Sequence, residues 1–203
     1  MGTAICWFVN SVASPMEQEG QAIARGLRQR DPDLLDRLIE QYQYRLFRYL
    51  LFLTGSKETA EDLFQETWLR VLERGRQYTG KWEFGTWLFA IARHLVIDLQ
   101  RRRQPRYVDL LEGRDEEGQV LEPATQGQPS ALELVARREE NERITASLAY
   151  LPAPYREVLV LRFQEDMALE EIAEVVAAPL STVKSRLYRG LEALRQFMAG
   201  GQS

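Results

Sequence analysis

Apolar residues recur every three or four positions through the first half of the chain, which predicts amphipathic helices. The clearest run follows Asp31-Pro32, a strong helix start because an aspartate accepts from free backbone amides and proline suits the first helical position. The run ends at Gly55, and its apolar positions are Leu34, Leu35, Leu38, Ile39, Tyr42, Leu46, Tyr49, Leu50 and Leu53. We expect this helix to bury one full side.

The same spacing predicts two further helices in residues 16–103. One begins after Ser56, with an apolar stripe at Ala60, Leu63, Phe64, Thr67, Trp68, Val71 and Leu72. The other runs from about Thr86 to Arg103, with one apolar side formed by Trp87, Leu88, Ile91, Ala92, Leu95 and Leu99. Periodicity alone assigns the charged face of the first of these helices to solvent. Residues 16–103 are therefore predicted to form an all-α domain.

The periodicity stops in residues 104–129, where glycine, proline, glutamine and acidic residues predominate, so we expect a linker there. Ser130-Ala131-Leu132-Glu133 has the pattern of a capping box and predicts a new helix towards Leu151. Two prolines separate it from a short helix at residues 155–163. Residues 130–203 are predicted to form a second all-α domain.

The last quarter of the chain has the spacing of a helix-turn-helix, whose second helix enters the DNA major groove. The core side of that helix is predicted at Val183, Leu187, Leu191, Leu194 and Phe197. We expect Ser181 to cap it. Hydroxyl and basic side chains that can bond to base edges or phosphates are Ser181, Thr182, Lys184, Ser185, Arg186, Tyr188 and Arg189. The alternative is a solvated helix in a small bundle.

The net charge of -4 is a sum over segments of opposite sign, and two of these segments are basic. Residues 93–106 hold five arginines against one aspartate, and residues 182–196 hold four basic residues against Glu192. Residues 109–123, between them, hold six acidic residues against one arginine. This asymmetry predicts two phosphate-facing surfaces joined by an acidic connector.

An aromatic and basic loop precedes the third helix, with Tyr78, Lys81, Trp82 and Phe84 close together. Aromatic faces beside cations can stack unpaired bases. For Trp82 and Phe84, closure of the core is an equal alternative. The arginines that end the helix, Arg101 and Arg102 among them, can equally be a soluble helix end favoured by the helix dipole.

Cys6 and His94 are the only cysteine and histidine, so one chain can form neither a disulfide nor a zinc site of cysteines or histidines. We expect no metal, no cofactor and a reducing cytoplasmic location. The apolar residues 5–9 are too short to span a membrane, so no membrane insertion is expected. Residues 1–15 are predicted to be disordered or an over-extended start, with Met1 or Met16 as the first residue.

The ordered motifs of the chain resemble those of the extracytoplasmic-function sigma factors, the small two-domain specificity subunits of bacterial RNA polymerase. The matching segments are residues 60–68, Trp87 to His94, Asp98 with the arginines after it, Leu151-Pro152, Tyr155-Arg156, Glu171 to Ala173 and Thr182 to Leu187. The resemblance implies a non-enzymatic initiation factor.

The resemblance also implies roles for particular residues. Asp62, Gln65 and Glu66 would dock on core polymerase, which replaces the solvent-exposed interpretation of that face. The predicted readers of the melted minus-10 element are Lys81, Trp82, Phe84, Trp87, Arg93, His94, Arg101 and Arg102. The basic and hydroxyl face of the last helix would read the duplex minus-35 element, and an anti-sigma factor becomes a plausible partner.

Three residues depart from the family pattern. Ala177 stands where the turn often has glycine, Ala168 where a hydroxyl cap is common, and His94 where asparagine is common. We expect His94 to alter the minus-10 base preference, because imidazole places its donor and acceptor differently from an amide. A stand-alone helix-turn-helix regulator is the second hypothesis, and a nucleic-acid enzyme, for which the sequence offers no catalytic motif, is the third.

Overall fold

The computed structural model describes residues 15–103, 148 and 151–200, and within these residues the fold is all-α, as predicted. The helices are α1 Pro15–Gln29, α2 Pro32–Thr54, α3 Lys57–Arg74, α4 Phe84–Arg103, α5 Ala153–Phe163, α6 Leu169–Val175 and α7 Leu180–Gly200, with a 3-10 turn at Gly75–Gln77. The predicted disordered start, the linker at 104–129 and the capping box at Ser130 lie outside the described residues, apart from Pro15, which begins α1.

Helix α2 begins and ends where the sequence predicts. The Asp31 carboxylate accepts from the backbone N–H groups of Asp33 and Leu34 at 3.0 and 3.3 Å. Gly55 ends the helix in the left-handed conformation, with φ of 64°, and donates to the carbonyl of Leu51. The buried side of α2 consists of Leu38, Tyr42, Leu46, Tyr49 and Leu50.

Helix α3 packs against α2 and α4. Ser56 caps it by accepting from the N–H of Thr59 at 3.3 Å. The predicted stripe is buried or half-buried except at Leu72, which is 41% exposed. That part of the prediction was wrong, because Leu72 lies one residue beyond Val71 at the edge of the stripe.

Helix α4 is buried on two sides, and the prediction of a single apolar side was wrong. Phe89 and Val96 are fully buried, Ile97 is 5% exposed and Arg93 is 3% exposed, although none of them belongs to the predicted stripe. The cause is long-range packing: α2 and α3 cover one side of α4, while α6 and Glu157 of α5 contact another. A helix enclosed in this way shows little amphipathic pattern.

The helix-turn-helix consists of α6, a turn and α7. Two details of its prediction were wrong. Helix α7 begins at Leu180, so Ser181 lies inside its first turn rather than at the cap. The carbonyl of Pro179 accepts from the N–H groups of Thr182 and Val183 there. Leu191, predicted in the core, is 38% exposed because the neighbouring Gly190 faces α5; the side chain of Phe197 is outside the described residues.

The turn of this motif places Ala177 in the left-handed region, with φ of 49°. A residue with a Cβ is strained there, whereas glycine adopts this conformation freely. We expect Ala177→Gly to raise the free energy of unfolding by about 0.5 to 1 kcal/mol in urea titrations. The matched control is Ala173→Gly within α6, which should lower it by a similar amount. Loss of stability in both variants would contradict the prediction.

Candidate nucleic-acid interfaces

The loop between α3 and α4 is held by a buried tyrosine. Tyr78 is 2% exposed, and its hydroxyl donates to the carbonyl of Trp82 at 2.8 Å. Lys81 is exposed, with its ammonium 5.3 Å from the centroid of the half-buried Trp82 ring. The loop therefore presents a cation and an aromatic ring together, as the sequence suggested.

Phe84 lies in the core rather than on the loop surface. This is the core-closure alternative that the sequence left open for this residue. The ring is 1% exposed, and its centroid lies 5.4, 5.7 and 5.9 Å from those of Tyr42, Tyr78 and Trp87. Trp68 stacks on it at 6.5 Å. Phe84 thus supports the loop from behind.

A cavity of about 250 Å³ lies between α3 and α4, next to this loop. Its lining includes Trp87 and His94, two predicted minus-10 readers, together with Arg70, Arg74 and Gln77. Arg74 and Gln77 were not predicted as site residues. No spacing rule could have found them, because they lie on elements that precede α4 and join the cavity only through packing.

A backbone contact assigns the hydrogen-bonding pattern of His94. Its Nδ1 lies 2.6 Å from the carbonyl oxygen of Ala90. A carbonyl oxygen only accepts, so Nδ1 carries the proton and Nε2 of the neutral ring is an acceptor. The exposed imidazole therefore offers an acceptor to any group that enters beside it.

The three predicted arginines of α4 lie in different environments. Arg101 and Arg102 are exposed near the end of the helix. Arg93 points elsewhere: its side chain is 4% exposed, and its Nε lies 2.9 Å from Oε1 of Glu157 in α5. In this arrangement Arg93 is therefore shielded from solvent.

Helix α7 presents a polar face to solvent. Its exposed residues include Ser181, Lys184, Ser185, Tyr188 and Arg189. The exposed fraction of Tyr188 is 70%, whereas Arg186 is only 4% exposed and Thr182 is half-buried. The predicted DNA-facing set is thus accessible except for Arg186, which lies on the buried side.

The predicted polymerase face of α3 is also accessible. Asp62 and Gln65 are exposed, and Glu66 forms a 2.8 Å ion pair with Arg70. Leu69, beside them, is 54% exposed, a residue that the prediction did not include. Leu69 therefore adds one exposed apolar side chain to this polar face.

Two other features are absent from residues 15–103, 148 and 151–200. Among them no three histidine, cysteine or acidic side chains are grouped so as to hold a metal ion. None of the helices within these ranges is both long and apolar enough to cross a membrane.

The sequence matches two family models. The model described as Sigma-70 region 2 matches residues 38–106, and the model described as Sigma-70, region 4 matches residues 141–194. Two solved structures share the fold. CnrH in complex with the cytosolic domain of CnrY gives a TM-score of 0.63 at 19% identity over 91% of this chain and 99% of the matched chain. RpoE of Bartonella quintana, bound to the anti-sigma factor NepR, gives 0.59 at 22% identity over 81% and 96%.

Curated relatives match over most of their length. The ECF RNA polymerase sigma factor SigW of Bacillus subtilis (strain 168) is 30% identical over 171 residues, which cover 82% of this chain and 89% of SigW. SigX from the same organism is 32% identical over 166 residues, 79% of this chain and 81% of SigX. The chain therefore belongs to the extracytoplasmic-function (ECF) RNA polymerase sigma factors, which direct polymerase to promoters.

Proposed function

We propose that this sigma factor divides promoter reading between its N-terminal helices, α1 to α4, and its C-terminal helices, α5 to α7. The observation that carries the proposal is the presence of two separate polar surfaces. One is the cavity and aromatic loop between α3 and α4, suited to unpaired bases. The other is the exposed hydroxyl and basic face of α7, suited to a major groove.

At the minus-10 element, a flipped base would enter the cavity beside Trp87 and His94. A volume of about 250 Å³ accommodates a nucleobase, and Trp87 offers a ring for stacking. Arg74 supplies positive charge at the wall, whereas Asp98 also lines it and Arg70 is paired with Glu66. Lys81 and Trp82 would hold the adjoining strand, while Arg101 and Arg102 would contact phosphates further along. Phe84 contributes from behind by fixing the loop.

At the minus-35 element, Lys184, Ser185, Tyr188 and Arg189 would contact the duplex, and Ser181 and Thr182 would meet phosphate near the start of α7. Arg186 would orient the helix from its buried side. We assign polymerase docking to Asp62, Gln65 and Glu66, with Leu69 as an apolar addition. We further propose an anti-sigma factor as a partner, a cytoplasmic location, and no catalysis by the chain itself.

Transcription from a promoter library, with core polymerase and this protein added separately and together, tests the proposal. Promoter-specific initiation only with both components supports it, whereas binding of duplex operator by the protein alone supports the stand-alone regulator. Lys184→Ala should weaken use of the minus-35 element, and Arg37→Ala, at an exposed position of α2, is the matched control. Failure to bind core polymerase would overturn the proposal.

His94 should set a base preference within the minus-10 element. Because Nε2 accepts, it favours a base edge with an amino group, such as adenine or cytosine, over a keto edge. One hydrogen bond of about 1 kcal/mol corresponds to roughly fivefold discrimination. We expect His94→Asn to relax this preference about fivefold in promoter-library transcription, because an amide both donates and accepts. Gln41→Asn, at an exposed position of α2, is the control. Identical base preferences in the wild type and His94→Asn would refute the assignment.

A further inference from the structure

We infer that His94 reads its minus-10 base in two protonation states, the neutral ring selecting an amino edge and the imidazolium a keto edge, so that base preference changes with pH. The inference rests on the proposed function, because it concerns the base that enters the cavity between α3 and α4. His94 is the single histidine of the chain. Histidine is also the only type of side chain that ordinarily changes charge between pH 5 and 8. A change of base preference in that range therefore points to one position.

One nitrogen of the His94 ring is fixed by the backbone. Nδ1 lies 2.6 Å from the carbonyl oxygen of Ala90, about one helical turn earlier on α4. Because Nδ1 carries a proton both in this neutral tautomer and in the imidazolium, the same hydrogen bond forms in either state. Protonation therefore keeps the orientation of the ring and alters only Nε2.

The other nitrogen, Nε2, is the one that gains the proton. His94 is exposed, so a proton reaches the ring from water without a movement of the fold. The added proton occupies the lone pair of Nε2 and leaves the ring with one positive charge. Nε2 accepts a hydrogen bond before this step and donates one after it.

The cavity leaves space for a base between two rings of α4. Trp87, Ala90 and His94 follow one another at three- and four-residue spacing, which places them on one face of the helix, and all three line the cavity. Ala90, between the two rings, has only a methyl group. The Trp87 ring is held by Tyr78 and Phe84, whose centroids lie 5.2 and 5.9 Å away. A base stacked on Trp87 would thus turn an edge towards His94.

Charged side chains of both signs line this cavity. They are Arg70 and Arg74 of α3 and Asp98 of α4, while the 3-10 turn adds the uncharged Gln77. Asp98 follows His94 by four residues on the same helix, a spacing at which a carboxylate and a cation attract each other. Arg70 is paired with Glu66 at 2.8 Å. The imidazolium would therefore have an acidic neighbour rather than cations alone.

The two states of Nε2 select opposite base edges. Adenine and cytosine carry an amino group where guanine and thymine carry a keto oxygen. The neutral ring accepts from the amino group, whereas the imidazolium donates to the keto oxygen. Because one hydrogen bond corresponds to roughly fivefold discrimination, we expect amino bases to be favoured about fivefold at high pH and keto bases about fivefold at low pH.

Binding of the holoenzyme to forked promoter DNA at pH 8 and at pH 5.5 tests the inference. The forks differ in single minus-10 bases, and the ratio of affinities for amino and keto bases cancels general effects of pH on polymerase. We expect this ratio to fall by about 25-fold at one position in the wild type. His94→Asn should abolish the fall, because an amide does not titrate. Adding Gln41→His, at an exposed position of α2, to His94→Asn is the matched control and should not restore it.

Nitrogen NMR of the full chain without polymerase gives a measurement that does not depend on promoter binding. The single histidine yields one pair of ring signals, and we expect a proton on Nδ1 at both pH values and on Nε2 only at pH 5.5. A proton on Nε2 at pH 8 would overturn the inference.

The binding data separate failure of the inference from failure of the proposed function. An amino preference that is the same at pH 8 and pH 5.5, or an equal fall of the ratio in His94→Asn, would overturn the inference and leave the proposed function standing. Equal affinity of the wild type for all four bases at both pH values would also defeat the proposed reading of a base by His94.

Discussion

Replacing Phe84 with alanine is expected to lower the free energy of unfolding by about 3 to 5 kcal/mol, the range for a large aromatic side chain removed from a core. Phe84 is 1% exposed and lies among the rings of Tyr42, Trp68, Tyr78 and Trp87. Removal leaves a cavity that rigid neighbouring rings fill poorly. Two of those rings, Tyr78 and Trp87, belong to the loop and cavity that we propose for the minus-10 strand, so the loss should also weaken single-strand binding.

Urea titration followed by circular dichroism measures this loss. Phe163→Ala is the matched control, because the same ring is removed at a position that is 66% exposed, and it should change stability by no more than about 0.5 kcal/mol. Phe84→Leu should retain much of the stability, since it leaves a smaller cavity. A loss below about 1 kcal/mol in Phe84→Ala would contradict the role of this ring as the centre of the aromatic cluster.

The elements that the sequence predicted well are those with local signals. Asp31 and Gly55 lie at the two ends of α2, and Ser56 lies at the start of α3. These ends were predictable because capping depends on a few neighbouring residues. Ser181 was misassigned because helix α7 begins at Leu180 and includes it in the first turn. Such an error of a residue or two is typical where several adjacent residues could cap a helix.

The sequence could not reveal contacts made by distant parts of the chain. The second buried side of α4 depends on α6, and the partner of Arg93 lies 64 residues away. The spacing of apolar and polar residues in α7 predicted its exposed face. Arg74 and Gln77, in contrast, reach the cavity only through the packing of α3 on α4. Arg93 illustrates the difficulty: its sequence context indicates a DNA contact, and only the fold shows its carboxylate partner.

Raising the pH above 10 is expected to destabilise the fold through its buried tyrosines. Burial, with a smaller effect of Glu83, raises the pKa of Tyr42 to about 12. Burial also raises the pKa values of Tyr49 and Tyr78, with Glu157 adding to the effect at Tyr49. The folded state therefore holds these protons more tightly than the unfolded state does. Their contribution is complete below the ordinary tyrosine pKa near 10 and is lost as the pH rises through the folded values.

The rise in the pKa of Tyr42 from about 10 to about 12 corresponds to roughly 3 kcal/mol, which is lost between pH 10 and 12. Urea titrations across this range measure the decrease. Tyr42→Phe should make the decrease smaller by about that amount, because phenylalanine does not ionise, while Tyr44→Phe, at a position 81% exposed, is the matched control. An equally steep decrease in Tyr42→Phe would show that this ring does not contribute.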